Sequence, residues 1–207
     1  MDSFFNKGYN SNIISRNTIN SLKTVVLPLL PPGYTFLHYR YDIIGPPLFT
    51  YHRDVTSAQS TIQTRHPTYT VIHYSYEGNM LSVSPYSHAS WVINLPETIY
   101  GKKNTAILFN CDLVHAGVDC PPDTLRKATQ YKVVHKDDLH LFDELYNIYK
   151  IQTGVPTHLV IQKILSITSY IFTVPIQLLF TPLLQRRSYT LAGKFLQNLI
   201  PIKYFNN

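Results

Sequence analysis

Charge is scarce in this chain: Asp, Glu, Lys and Arg make up only 14% of its 207 residues. Cysteine is scarcer still, with Cys111 and Cys120 alone, and the two lack the Cys-x-x-Cys spacing of a structural zinc site. The first residues do not read as a secretory signal, so both thiols are expected to be reduced, in a cytosolic-type compartment. The chain also lacks the parts of a kinase that His52-Arg53-Asp54 would otherwise suggest. Gln59 stands five residues after Asp54 where a kinase needs Asn, no Gly-x-Gly-x-x-Gly loop precedes it, and no Asp-Phe-Gly follows. Alternation of strands and helices is missing as well, which excludes a parallel, doubly wound sheet. The formal charge of +6 is spread out, apart from the pairs Lys102-Lys103 and Arg186-Arg187. Without a basic and aromatic stripe on one face, nucleic acid is not an expected partner. A modestly basic surface suits an anionic substrate or cosubstrate.

What the chain has is tyrosine, 16 of them, with Thr, Val, Ile and 14 prolines, a composition that leans toward strands and tight turns. Strands are expected at Tyr34–Ile44, Tyr69–Tyr76, Leu81–Ser84, Thr105–Phe109 and Leu125–His135. Ser21–Leu30 is read as an edge strand interrupted by Pro28, and 89–105 as connection. Many short strands with turn signals between them imply a mainly β sandwich or barrel. Residues 1–20 read as a polar arm, 21–136 as the β domain with a polar, substrate-facing loop at 57–68, and 137–207 as a helical, hydrophobic appendage. In that appendage Asp137 or Asp138 is expected to cap a helix running to about Ile151. The 22 positions from Ile164 to Gln185 carry no charge. A bilayer-spanning helix and a broken helix packed on the domain both fit that stretch. Tyr189–Ile200 reads as an amphipathic helix with Leu191, Phe195 and Leu199 on one face.

The chemistry gathers around Tyr51-His52-Arg53-Asp54. On an extended chain His52 and Asp54 point to one side, and Arg53 points away. An imidazole and a carboxylate converging in this way form two-thirds of a 2-His-1-carboxylate iron site. His115, 61 positions beyond Asp54 in a strand-turn segment, is the candidate third ligand. Arg126, entering the next strand, suits a bidentate clamp on the far carboxylate of 2-oxoglutarate. Tyr69 and Tyr74 are candidates to add a hydroxyl to the oxoglutarate pocket. His73 alternates with Tyr74, so at most one of that pair faces a metal.

The ordered set His52-x-Asp54, Val83-Ser84-Pro85-Tyr86-Ser87-His88, His115-Ala116-Gly117 and Arg126 resembles the phytanoyl-CoA dioxygenase-like branch of the Fe(II)/2-oxoglutarate oxygenases. That branch carries Val-Pro-Gly-Ser-His between its metal motifs, and here Tyr86 stands where Gly is usual. Ala128 stands where many relatives place Ser or Thr. The resemblance spans about residues 34–135. It implies a double-stranded β-helix (a cupin-like jelly roll), with Fe(II) on His52, Asp54 and His115 and 2-oxoglutarate on Arg126. It further implies hydroxylation of a substrate with O2, yielding succinate and CO2, and a structural role for His88; the expected partner is a small molecule, or a lipid-like one if the C-terminal segment contacts membrane. The rival expectation is a non-catalytic β-helix protein tethered to a membrane or partner by its C-terminal segment.

Overall fold

A computed structural model describes residues 2–45, 49–54, 56, 62–89, 94–118, 126–153 and 159–184. The chain opens with helix α1 (Asp2–Lys7), strand β1 (Tyr9–Ile14), helix α2 (Ile19–Val26) and a short 3-10 turn, Leu27–Leu29. Strands β2 (Tyr34–Phe36), β3 (Tyr39–Ile44), β4 (Tyr69–Tyr74), β5 (Gly78–Val83), β6 (Glu97–Gly101), β7 (Thr105–Asn110), β8 (His115–Gly117) and β9 (Lys127–His135) follow. A 3-10 segment (Lys136–Leu145), strand β10 (Ile148–Thr153) and helix α3 (Leu159–Leu184) complete it.

Two sheets result. The larger runs β1-β7-β4-β9-β3-β10, with β2 also on β9, and the smaller runs β6-β5-β8. Alternation along each strand divides its residues between two apolar layers. Ile72, Tyr74, Ile107, Phe109 and Ala128 of the large sheet meet Met80, Leu81, Val83 and Ile99 of the small one. On the outer face of the large sheet, Tyr69, Val71, Leu108, Tyr131 and Val133 pack against Phe4, Leu22 and Val26 of the N-terminal helices. The fold is therefore mainly β, a jelly roll with its interior between the sheets and helices on its flanks.

Several elements depart from the expectations. Residues 1–20 are not a loose arm, because β1 pairs with β7 and its Ile13 is buried opposite Ala106. Asn10, Ser11 and Asn12 in succession leave β1 without a legible apolar alternation. Ser21–Leu30 is helical rather than an edge strand. Thr18 caps α2 by accepting the Ser21 N–H, and Leu22 and Val26, four apart, are both fully buried. Pro28 sits at the start of the 3-10 turn, where no N–H is required of it. The stretch 89–105 contains β6, which shows only Ile99 and Gly101 to the interior. Past His135, a helix to Ile151 does not form. Phe142 and Leu145 are buried at a spacing of three, the period of a 3-10 helix, and the chain turns at Asn147 (φ +60) into β10, parallel to β3. Asp42, on β3, fixes that last strand by accepting from Arg40, Thr129 and Tyr149.

Among the described residues no helix is long and apolar enough to cross a membrane. Two polar groups of α3 contact the β domain: Ser169 Oγ accepts the Tyr51 N–H at 2.8 Å, and Tyr170 stacks edge-on against Tyr51. Tyr189–Ile200, Cys120 and the loop around Gln59 lie outside the described residues.

Candidate metal centre

His52 is added to the small sheet by a single antiparallel bridge to His115. Each of the two donates its backbone N–H to the other's carbonyl, at 2.9 and 3.0 Å. His115 is itself in register with Val83 of β5, so the sheet fixes both imidazoles side by side, with ring centroids 4.5 Å apart. Two residues on, the Asp54 N–H donates to Cys111 O at 3.0 Å, and Asp54 turns to the same side as His52. Arg53 points the other way and donates to Ser87 O at 2.9 Å. One ligand atom from each of His52, Asp54 and His115 lies within 4.8 Å of the others.

The ring nitrogens are sorted by backbone carbonyls. His52 Nδ1 lies 2.8 Å from Thr50 O, and His115 Nδ1 lies 2.9 Å from Leu113 O. A carbonyl only accepts, so each Nδ1 carries a proton, and in the neutral ring it is Nε2 that presents a lone pair. His115 Nε2 lies 3.8 Å from Asp54 Oδ1. Burial, helped by His52 and opposed by Asp54, pushes the His115 imidazole down to about 4, so this ligand is neutral at neutral pH.

The other oxygen of Asp54 is occupied. Lys132 Nζ, itself buried, donates to Oδ2 at 2.7 Å and lies 2.7 Å from Thr70 Oγ1. Thr70 also donates to Oδ2. Burial by itself would raise the carboxyl, but Lys132, His115 and His52 together hold Asp54 well below the usual carboxylate range. Burial opposes the Lys132 ammonium and Asp54 outweighs it, leaving the amine above its ordinary value. Cys111, between Thr56 and Thr70, is kept a neutral thiol, pushed up to about 11 by burial. Lys132 and Thr70 were missed in the sequence reading. The available signal was parity: Lys132 follows Arg126 by six residues on one strand and shares its face.

Arg126 immediately precedes β9, and Tyr74 pairs in register with Ala128, two residues further along. Both Arg126 and Tyr74 are buried on the inner face, and Arg126 Nε, Arg126 Nη1 and Tyr74 Oη have no hydrogen-bond partner among the described residues. Burial raises the Tyr74 hydroxyl, with the neighbouring Arg126 drawing it back.

Tyr69 is not brought to this place. It projects from the opposite face of β4, against Tyr34 and Phe4, with ring centroids 5.3 and 5.8 Å away. An odd number of residues from Tyr74 puts it on the outer layer. His73 is turned outward for the same reason, its Nε2 2.9 Å from Ser15 O. His88 ties the segment after β5 to Phe5 O at 2.9 Å. Tyr86 adopts φ +66, the left-handed conformation in which glycine carries no Cβ penalty.

No protein-family model matches the chain, and neither does any curated protein. Among solved structures, the fold is similar to EvdMO1 at 13% identity and a TM-score of 0.45, over 62% of this chain and 35% of that one. It is similar to AviO1 from Streptomyces viridochromogenes at 9% identity and a TM-score of 0.41, over 64% and 92% of the two chains. It is also similar to HygX from Streptomyces hygroscopicus, solved with nickel, 2-oxoglutarate and hygromycin B bound, at 11% identity and a TM-score of 0.39, over 63% and 84%. The chain spans about a third of the length of EvdMO1. Likenesses this distant carry no weight for function, which rests on the side chains themselves.

Proposed function

We propose that this protein is an Fe(II)- and 2-oxoglutarate-dependent dioxygenase. The observation that carries the reading is the convergence of two Nε2 lone pairs and one carboxylate oxygen from His52, His115 and Asp54. Two imidazole nitrogens and one carboxylate suit a divalent first-row metal and leave further coordination positions open. Lys132 and Thr70 hold Asp54 Oδ2, so the carboxylate offers Oδ1 alone and does not close the face with a second oxygen. The carbonyls of Thr50 and Leu113 keep both rings in the ligating tautomer.

The residues also fit the cosubstrate. A buried guanidinium whose Nε and Nη1 are unmatched among the described residues, beside a phenol likewise unmatched there, suits an anion such as a carboxylate. Arg126 would bind the distal carboxylate of 2-oxoglutarate and Tyr74 would donate to it. Bound at the triad, Fe(II) with 2-oxoglutarate and O2 supplies the oxidation that hydroxylates a C–H bond, releasing succinate and CO2. The chain's own part is to orient the dicarboxylate, hold the ligands in one protonation state and exclude water with the apolar layer around Phe109. The substrate class is small-molecule or lipid-like.

Anaerobic titration with Fe(II), then 2-oxoglutarate, tests this. A visible charge-transfer band is expected only with both present, and air should bleach it. His115→Ala should abolish iron binding, whereas Arg126→Met should spare iron and weaken 2-oxoglutarate at least tenfold, the loss of a charge-assisted pair being worth about 1.5–3 kcal/mol. Iron and 2-oxoglutarate binding like wild type in both variants would refute the assignment. A second reading, a non-catalytic scaffold docked through its C-terminal segment, is favoured by the exposed Val160, Ile161, Ile164, Ile167 and Ile171 on α3. Absence of the band in folded protein is the outcome that reading predicts.

A further inference from the structure

A second group of potential ligands lies apart from the triad. His66 precedes β4, His135 ends β9, and Asp137 stands in the first turn of the 3-10 segment. One ligand atom from each lies within 4.8 Å of the others. We infer that His66, His135 and Asp137 form a separate Zn(II) site, with three protein ligands and a fourth position open to solvent. No step of the proposed oxidation uses these residues.

The distances carry the inference. Asp137 Oδ2 lies 3.4 Å from His66 Nε2 and 3.3 Å from His135 Nδ1. Tetrahedral ligands at about 2.0–2.1 Å from zinc are separated by about 3.3–3.4 Å, so the ion needs little movement of these pairs. The imidazole of His135 presents a lone pair here rather than a proton, since its Nδ1 accepts the Asp137 N–H at 3.3 Å. That hydrogen bond is long, and a metal would supplant it at small cost. The two imidazole nitrogens are borderline donors that favour zinc over calcium or magnesium, and zinc accepts a carboxylate oxygen beside them.

The ligands are also held in advance. Asp138, fully buried, accepts the backbone N–H groups of Arg65 and His66 at 3.1 and 2.9 Å, which fixes the His66 segment beside the start of the 3-10 turn. The His135 ring is seated against Gly33 so closely that a Cβ there would stand 2.1 Å from Nε2, and against Tyr34 with ring centroids 5.3 Å apart. His66 and His135 are 3.8 Å apart by ring centroid. The face is the outer one of β9, opposite Lys132 and the triad. The site is open for loading: Asp137 is exposed, and His66 lines a cleft of about 380 Å3 with Arg65 and Asp112. A metal here would cross-link the segment before β4 to the end of β9.

The test is competitive titration of metal-free, full-length protein with Zn(II) against a chromophoric chelator. Wild type should bind two equivalents, His66→Ala and Asp137→Asn one each, and His115→Ala one. The His66 and Asp137 side chains are solvent-accessible, so these variants are expected to retain the fold. As a second readout, Co(II) in the His115→Ala protein should give the intense visible bands of a four-coordinate ion, lost when His66→Ala is added. Wild-type stoichiometry and affinity in both His66→Ala and Asp137→Asn, or no such Co(II) bands in the His115→Ala protein, would overturn the inference. A single equivalent in wild type that survives His115→Ala and disappears in His66→Ala would support this site while refuting metal binding at the triad.

Discussion

Replacing Lys132 by Met should move stability and metal affinity in opposite directions. In the metal-free protein the Lys132 ammonium is the one full positive charge in contact with Asp54 among the described residues, at 2.7 Å, with side-chain exposures of 3% and 9%. Met fills a similar volume but leaves the carboxylate to Thr70 and the two imidazoles. Breaking a buried pair in this way costs about 3–5 kcal/mol, because the remaining charge has lost its compensation. At about 2–4 °C per kcal/mol for a chain of this size, Tm should fall by about 6–20 °C. A divalent ion on Asp54 Oδ1 supplies the missing positive charge, so the loaded variant should lose much less. Linkage then requires that the ion bind the variant more tightly, by the difference between the two losses. Thermal melts of both proteins with and without Co(II) measure the first effect, and isothermal titration measures the second. A metal-free variant melting within about 2 °C of wild type, or one binding Co(II) more weakly, would refute the role given to Lys132.

Acid stability follows from His115. Its native value, near 4, lies below the ordinary 6.5 of the unfolded chain, so between these the unfolded state binds a proton that the native state rejects. Stability of the metal-free protein should therefore fall as pH drops from about 6.5 to about 4, by up to about 1.4 kcal/mol per pH unit from this group, and level off below. Denaturant melts across that range should show a shallower slope for His115→Gln; equal slopes would refute the prediction. The two tyrosines should separate cleanly. Tyr74→Phe should weaken 2-oxoglutarate by roughly three- to tenfold, about one hydrogen bond, whereas Tyr69→Phe, on the outer layer, should leave that affinity unchanged in calorimetry.

The sequence was most informative where function depends on local geometry. His52 and Asp54, two apart on an extended chain, share a side whatever the rest of the fold does, and Arg53 between them cannot. Strands β4, β7 and β9 are each long enough for alternation to show, and Tyr74 against Tyr69 is decided by the same parity once β4 begins at Tyr69. Where an element is polar on its exposed side or too short for a period to repeat, local pattern failed. The N-terminal strand concealed one buried Ile among Asn and Ser, and β6 shows little more than Ile99. The helix expected from the Asp137 or Asp138 cap to about Ile151 gave way to a 3-10 segment, whose buried Phe142 and Leu145 stand three apart.

The sequence by itself therefore determined the mainly β class and the pairing of His52 with Asp54 on one side, while leaving Tyr69 and Tyr74 both as pocket candidates until the structure turned Tyr74 inward and Tyr69 outward. Only the tertiary structure decided what stands opposite His52 and Asp54. The bridge that sets His115 beside His52, the reach of Lys132 and Thr70 to Asp54 Oδ2, and the meeting of His66 with His135 and Asp137 each join residues more than ten positions apart. Such contacts depend on sheet order and register, which the periodicity of a single strand does not specify. The carbonyls that fix the two ligating tautomers come from Thr50 and Leu113, two residues before each His, yet they act as they do because the His52–His115 bridge holds both backbones in place.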